Sequence, residues 1–443
     1  MKRCLFFILL FIFGFTVIIY GQEAQLTVDQ CVEIALEQNP DIIRGEFTVK
    51  IAGKDVTVAM SNFLPYISTS MQYNHSVVGP SSALRIDPQT GILVPIQPSE
   101  IASWSSSIGI SVNQTIFNGG YDIFNFNRSR AMKSSAEYTF ENTKQTVIYV
   151  VKERYYNLLA AEKLLGVAEE TILSSEESYK RAQVLFEVGK ASKSDVLKAE
   201  VQLGTGQLNL IQSQNSLSIA RASLNHILGL DVDYQIQVVD DLDIPEMEVS
   251  YEDAAANTFM YHPSLIGREY DVKASKAGVS MSISQYLPSI SAFYGYNWRQ
   301  KDFSMVKNML DSDYSWYVGV SLSLPIFQGF SRVANLSRAR FNYQSSLEAL
   351  EQTKRDLALE VKQAYFDVQQ AKKSIEVTRN QVASAEEDLR LNSEKYTLGS
   401  GTMLELIDAQ VSYATAKSDH IQSLYAYKKA IARLQQTMGK LEK

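Results

Sequence analysis

A long internal repeat constrains this chain more than any other feature of its sequence. Residues 104–229 recur as residues 314–439, with a constant step of 210 residues and no gap. The step superposes identical residues at widely separated positions, among them Gly109 on Gly319, Phe117 on Phe327, Arg128 on Arg338, Tyr155 on Tyr365 and Gly189 on Gly399. Solenoid units repeat every ~20 to 50 residues. The repeat is therefore a duplicated assembly of helices and strands, and the two copies need not be separate domains.

The N-terminal residues have the pattern of an export signal. Lys2 and Arg3 precede an apolar run at residues 5–20, and polar residues begin at Gln22. This pattern predicts a secretory signal peptide over residues 1–21 and a mature chain over 22–443. A retained membrane anchor, which needs about 20 apolar residues, is the alternative.

Charge and cysteine usage narrow the class of protein further. The chain has 42 basic and 49 acidic residues, so removal of Lys2 and Arg3 leaves a net charge of −9. This acidity argues against nucleic acid as a partner.

Cys4 is removed with the predicted signal peptide, and Cys31 then has no second cysteine with which to form an intramolecular disulfide. We expect Cys31 to be a packed thiol of the core.

Four segments alternate apolar with small or polar residues, as β-strands do. They lie at about residues 64–76, 104–116, 287–298 and 314–326. Strands of about ten residues with terminal aromatics fit a membrane β-barrel around an aqueous lumen, although a sheet over an ordinary core shows the same alternation. The segments between paired strands, residues 77–103 and 299–313, are predicted to be exposed loops at the outer mouth.

The number of strands implies an oligomer. Even the smallest membrane barrels need about eight strands, and lipid tolerates no open sheet edge. If the four strands span a membrane, several copies of the chain must share one barrel.

Unusually long helical patterns follow the second strand of each copy. No proline or glycine lies between Gly329 and Gly399, and a helix of that length would extend roughly 100 Å at ~1.5 Å per residue. Its apolar and small residues keep a seven-residue period, which predicts a left-handed coiled coil. We predict long helices at about 119–188 and 329–398, with antiparallel helices returning at about 194–228 and 402–438.

The repeat boundaries follow from these elements. Repeat 1 is predicted at about 41–229, a connector at 230–262 and repeat 2 at about 263–439.

Because many residues of the helical stripe are Ala, Ser or Thr, each helix can pack on two sides. This favours a wall of helices over a two-stranded rod.

These motifs together resemble the TolC-like outer-membrane efflux proteins. Residues 26–40 resemble the opening helix of that family, and Phe63-Leu64-Pro65 and Tyr286-Leu287-Pro288 resemble the residues that start its strands. Residues 114–119 and 324–329 resemble the ends of its strands, and residues 188–197 and 398–408 its helix-turn-helix tips. The resemblance covers essentially the whole mature chain.

The resemblance implies a homotrimer in the outer membrane of a Gram-negative bacterium. Three copies of four strands would form a shared twelve-stranded β-barrel, and the antiparallel coiled-coil helices a periplasmic α-barrel. The implied function is that of an exit duct, which receives drugs or other small molecules from a periplasmic adaptor and an inner-membrane pump and conducts them passively. The outer-membrane lipid is a further implied partner, and no enzymatic activity is expected.

The same resemblance implies a gate at the far periplasmic end. Glu405 and Asp408 occupy positions at which the family carries aspartates at its constriction, and Asp195 and Tyr396 fall on family gate positions. The family gate arginine would lie at Gly401, so the usual ionic latch to Asp195 is in doubt. Two acidic rings in a narrow pore would attract cations and would raise the pKa of each other's carboxyl groups. Alternatively, Glu405 and Asp408 are helix N-terminal residues favoured by the helix dipole.

The tip turns are the expected contacts with the adaptor, because they expose backbone groups. The residues concerned are Gly189, Lys190, Ser192, Gly399, Ser400 and Thr402.

Two other functions stay open from the sequence. A duct for type I protein secretion would have the same architecture, and an exported coiled-coil scaffold would explain the helices but not the four strands. The four histidines are dispersed without the spacing of metal ligands, and no nucleophile–base pair or phosphate-binding glycine loop is found. We therefore predict neither a metal site nor a cofactor.

Overall fold

The computed structural model describes residues 25–80, 84–95, 100–240, 249–300 and 312–440. The predicted signal peptide and most of the loop predicted at 299–313 lie outside these residues. The chain divides into two compact units. Unit 1 contains the described residues up to Gly45, Glu141–His262 and those from Asp356 onward, and unit 2 contains Glu46–Phe140 and Pro263–Arg355.

Helices form most of unit 1. The eight helices of the described chain are α1 (Val28–Gln38), α2 (Pro40–Ser61), α3 (Tyr121–Glu187), α4 (Lys193–Leu228), α5 (Tyr251–Tyr261), α6 (Pro263–Ser284), α7 (Ser331–Leu398) and α8 (Met403–Thr437). The long helices α3 and α7 have 67 and 68 residues, and each contributes residues to both units. Among the described residues, none of these helices combines the length and the apolar character needed to cross a membrane.

The seven-residue stripe predicted for the long helices forms the core of unit 1. Along α7 the buried cluster contains Val361, Ala364, Val368, Ala371 and Ile375, which pack with Tyr427, Ile431 and Leu434 of α8. Ala364 and Ala371 leave room for close approach of the neighbouring helix, as expected for a seam of small and apolar residues. The helical pattern of the sequence is thus expressed as packing between antiparallel helices.

A two-residue parallel sheet fastens the N-terminal segment to the connector. Strand β1 (Gln25–Leu26) pairs with β6 (Gln237–Val238). The hydroxyl of the buried Tyr155 on α3 lies 3.0 Å from the Leu26 carbonyl oxygen and 2.5 Å from that of Val239. Nearby Cys31 is fully buried, which confirms the expected core thiol, and burial raises its pKa to about 12. This thiol stays protonated at any ordinary pH.

Replacement of Tyr155 by Phe tests the contribution of these hydroxyl contacts. The variant keeps the ring but leaves the Val239 carbonyl without its donor, so we expect a loss of about 1–3 kcal/mol in the free energy of unfolding. Urea denaturation followed by circular dichroism measures the loss. Tyr365, the repeat equivalent, packs its ring against Tyr251, and Tyr365→Phe is the matched control with an expected change under about 0.5 kcal/mol. Equal effects of the two substitutions would contradict this role of the hydroxyl.

Unit 2 contains a four-stranded antiparallel sheet. Its strands are β2 (Tyr66–Val78), β5 (Ile101–Asn118), β7 (Ser289–Gln300) and β8 (Tyr314–Ser323), in the order β2-β5-β7-β8. The two strands of one repeat therefore lie beside the two of the other, and β2 and β8 form the edges. Strand β8 ends at Ser323, three residues before the predicted end, because Pro325 has no backbone N–H for the ladder.

The long loop predicted at 77–103 contains a short hairpin. Strands β3 (Leu84–Ile86) and β4 (Leu93–Pro95) pair in antiparallel fashion. The turn between them forms because Asp87 accepts hydrogen bonds from the Gln89 amide and the Thr90 hydroxyl, while Gly91 adopts a positive φ of 68°. Sequence reasoning treated this stretch as irregular and missed the hairpin.

The region predicted as a connector, residues 230–262, holds a helix of the second repeat. Helix α5 lies within it and is the counterpart of α1, since a single residue separates each of them from the proline that begins the next helix, α6 or α2. Both short helices meet the end of a returning helix in the same way. A Cβ on Gly229 would lie 2.8 Å from the Gln38 carbonyl oxygen, and one on Gly439 2.9 Å from that of Tyr261. The structural repeat thus begins earlier in both copies than the sequence comparison indicated.

Candidate functional site

The two helix-turn-helix tips pack together in unit 1. The first joins α3 to α4 and the second joins α7 to α8. Their apolar residues form one cluster, with Ala182, Val196 and Ala199 from the first tip and Tyr396, Met403 and Leu406 from the second. The candidate site is therefore a single packed structure, built from both copies of the repeat.

The turns themselves have the same backbone geometry. Gly189 and Gly399 end the long helices with φ of 71° and 76°, a conformation that glycine adopts without steric cost. In each turn a backbone amide donates a hydrogen bond to a carbonyl oxygen of the preceding helix. The Lys190 amide donates to the Leu185 carbonyl at 2.7 Å, and the Ser400 amide donates to the Lys395 carbonyl at 2.9 Å. The six turn residues predicted to contact a partner, Gly189, Lys190, Ser192, Gly399, Ser400 and Thr402, are all exposed.

Each returning helix begins with a capping box. In the first tip, Ser192 and Asp195 exchange hydrogen bonds, and the Ser192 amide donates to Asp195 Oδ2 at 3.0 Å. In the second, the Thr402 amide donates to Glu405 Oε2 at 2.7 Å and the Glu405 amide to Thr402 Oγ1 at 3.2 Å. These reciprocal bonds satisfy backbone donors that the first turn of a helix leaves free. Asp195 and Glu405 are thus equivalent capping residues.

The predicted gate residues therefore have different surroundings. Glu405 is turned back toward Thr402, and Asp408, one turn further along α8, is exposed. Tyr396 is only 6% exposed and packs in the tip cluster. Burial raises the pKa of Tyr396, and the negative charge of Asp195 raises it further. The structure brings Tyr396 and Asp195 together, whereas Glu405 and Asp408 share a helix face but not an environment.

Arg181 is a tip residue that sequence reasoning missed. Its guanidinium donates to Thr397 Oγ1 at 2.9 Å and forms an ion pair with Glu177 at 2.8 Å. Arg181 thereby links α3 to the end of α7. The repeat comparison contained a signal, because Leu391 stands at the equivalent position of the second copy.

The carboxylate of Glu405 makes the stability of the tip depend on pH. The backbone amide and hydroxyl of Thr402 donate to it and lower its pKa. A carboxyl with a lowered pKa in the folded state stabilises the fold above its unfolded pKa, and this contribution is lost as the pH falls through the folded value. We expect Glu405→Gln to lower the thermal midpoint at pH 7 and to have little effect near pH 3. Glu200→Gln, at an exposed position of α4, is the control; a pH-independent effect of Glu405→Gln would contradict the capping role of the charge.

Comparison with known proteins identifies the family. The sequence profile of the family described as "Outer membrane efflux protein" matches residues 31–230 and 260–440. The chain belongs to the outer membrane efflux protein family.

 The two matched segments contain the four strands of the sheet, the four long helices and both tips.

Relatives and solved structures agree with this assignment. The chain is 21% identical over 414 residues to "Outer membrane protein TolC" of Vibrio cholerae, and the aligned residues cover 92% of this chain and 89% of that protein. It is 20% identical over 425 residues to "Outer membrane efflux protein BepC" of Brucella suis, covering 94% and 88%. The fold matches the CmeC outer membrane channel of Campylobacter jejuni with a TM-score of 0.82 and 17% identity, covering 94% of this chain and 86% of that one.

These findings settle the fold class and the location. The protein has the mainly helical, tandem-duplicated fold of outer-membrane efflux channels. It is an outer-membrane protein with a helical extension on the periplasmic side. The family is one of channels rather than of enzymes.

Proposed function

We propose that this protein is the outer-membrane exit duct of a tripartite efflux system. Drugs or other small molecules pass through it passively, delivered by an inner-membrane pump through a periplasmic adaptor. The observation that carries the proposal is the four-stranded sheet of unit 2, whose edge strands β2 and β8 pair with no further strand in the part of the chain that the structure describes. Membrane β-structure has to close on itself, so the sheet requires further copies of itself.

Three copies give the closed form that the proposal needs. An interface between β8 of one copy and β2 of the next is heterologous, and such interfaces generate rings when the rotation closes. Twelve strands exceed the about eight at which side chains fill a barrel interior, so the shared barrel leaves a channel. The outward faces of the edge strands are rich in exposed apolar residues, including Ile67, Met71, Trp316, Val318 and Val320, as a lipid-facing surface requires.

The tips of unit 1 supply the contact with the adaptor and the gate. The turns at residues 189–192 and 399–402 have small side chains apart from Lys190, and they offer an accessible surface to the adaptor. In the proposed gate, Asp408 provides a ring of three carboxylates at the constriction. Asp195, Glu405 and Tyr396 hold the tips in shape, through the two capping boxes and the buried ring of Tyr396.

Two measurements test this function. Extraction from outer membranes should yield a heat-sensitive trimer that forms channels in planar lipid bilayers; a monomer without channel activity would sink the proposal. Photo-crosslinkers at positions 190 and 400 should capture a periplasmic adaptor and, with it, the inner-membrane pump. A crosslinker at the exposed Gln214 of α4 is the control, and equal capture at all three positions would contradict docking at the tips.

A further inference from the structure

An aromatic patch interrupts the polar face of the four-stranded sheet. The side chains on this face are mostly serine, asparagine, glutamine and glycine, and the cross-strand register sets them in rows. One row reads Tyr66–Asn113–Phe293–Gly319, and the next reads Ser68–Ser111–Gly295–Tyr317. Phe293 and Tyr317 are therefore diagonal neighbours on adjacent strands of a face that is otherwise small and polar, and Tyr66 lies in the row of Phe293 with Asn113 between them.

Two of these rings lie directly on glycines of the adjacent strand. A Cβ on Gly319 would lie 2.6 Å from Phe293 Cζ, and one on Gly295 would lie 2.3 Å from Tyr317 Cζ. The centroids of the two rings are 5.9 Å apart, with 60° between their planes. One side of each ring is thus covered by backbone, while Tyr317 as a whole is still 50% exposed and Tyr66 69% exposed.

The fold itself does not require these rings. By the repeat, Phe293 and Gly319 correspond to Ser70 and Gly109, which are paired in the same way on the neighbouring strands. Tyr317 likewise corresponds to Ser107. The first copy builds the same pair of strands with serines at these two positions, so Phe293 and Tyr317 are features of the second copy.

The same face carries almost no charge. The strands β2, β5, β7 and β8 contain one charged residue, Arg299, which is next to the last residue of β7. An uncharged surface of hydroxyls and amides does not select for ions. Exposed ring faces bind planar aromatic groups by stacking, and such pairs are worth about 0.5–1.5 kcal/mol beyond the area they bury.

We propose that Tyr66, Phe293 and Tyr317 form an aromatic binding belt inside the barrel for uncharged small molecules that carry an aromatic ring. The inference rests on the proposed function, because only a closed trimer turns this face into a lumen. Three copies place nine rings on the lumen side of the barrel, in two adjacent rows of the cross-strand register. Cargo with an aromatic group is held there by stacking, while its polar groups meet the surrounding hydroxyls and amides.

Two neutral glucosides test the belt in the intact trimer. In planar bilayers, 4-nitrophenyl β-D-glucoside should reduce the channel current in a saturable manner, and methyl β-D-glucoside should not. In Phe293→Leu and Tyr317→Leu the half-blocking concentration should rise about three- to tenfold. Trp316→Leu, at a 60% exposed position on the opposite face, is the matched control and should leave the block unchanged.

The possible outcomes separate this inference from the proposed function. Wild-type protein that forms no channel would overturn the proposed function and the belt together. Channels that respond equally to both glucosides would overturn the belt alone, and this comparison needs no variant. A block that survives both leucine substitutions, even with a lower thermal stability of the trimer, would show that the rings only cover the glycines and would also overturn the belt.

Discussion

Gly119→Ala is expected to destabilise the protein by about 2–5 kcal/mol and to prevent accumulation of the assembled form. Gly119 joins β5 to α3 with a φ of 69°, and a left-handed conformation costs a residue with a Cβ about 1–2 kcal/mol. The added methyl would also lie 2.3 Å from the Ser284 carbonyl oxygen and 2.8 Å from Leu287 Cβ. Overpacking of this kind adds about 1–3 kcal/mol.

The repeat provides an exact counterpart for this test. Gly329 is the equivalent residue and also has a positive φ, of 58°, but no atom lies within 4 Å of the position its Cβ would occupy. Gly329→Ala should therefore show the backbone cost alone, about 1–2 kcal/mol. Urea denaturation of the purified variants and their abundance in outer membranes measure both effects. If the two alanine variants are equally unstable, the close approach of Ser284 contributes nothing.

Asp408→Asn is expected to weaken block of the channel by multivalent cations by at least about tenfold. Asp408 is exposed on α8, and in the proposed trimer three such carboxylates would face the axis at the constriction. Rings of acidic side chains attract cations, and about 1.4 kcal/mol of lost attraction corresponds to a tenfold change. The half-blocking concentration of La³⁺ in planar bilayers measures the change.

Glu405→Gln separates the pore charge from the capping charge. The Glu405 carboxylate accepts hydrogen bonds from Thr402, so its removal should reduce the stability of the tip and leave La³⁺ block nearly unchanged. Unaltered block in Asp408→Asn would remove Asp408 from the gate. Block lost in Glu405→Gln alone would assign the pore charge to Glu405 instead.

The sequence predicted the repeated elements well because their signals are periodic. Alternation along β7 and β8 and the seven-residue stripe of α7 each extend over many residues, so single exceptions do not obscure them. The hairpin β3–β4 and the helix α5 were not predicted, because they are short and depend on local contacts, such as the hydrogen bonds of Asp87.

The candidate site was less accessible to sequence reasoning. Resemblance assigned Asp195, Tyr396, Glu405 and Asp408 to one gate, but it could not assign them different surroundings. That Glu405 points back to Thr402 depends on the direction of a single side chain. That Arg181 reaches Thr397 depends on the packing of α3 beside α7. The contact of Glu405 with Thr402 matches the Thr-x-x-Glu spacing of a capping box, whereas the contact of Arg181 with Thr397 follows from no spacing along the chain.

The sequence by itself determined the duplicated architecture, the lengths of the long helices and the two faces of each strand, because these follow from periodicity along one element. Only the tertiary structure decided which residues of the two copies meet. Cross-strand register set Phe293 and Tyr317 on Gly319 and Gly295, and packing of the tips buried Tyr396 beside the first copy. Such contacts depend on how separate elements are placed in space, and two copies with the same periodicity can place different side chains at the same point.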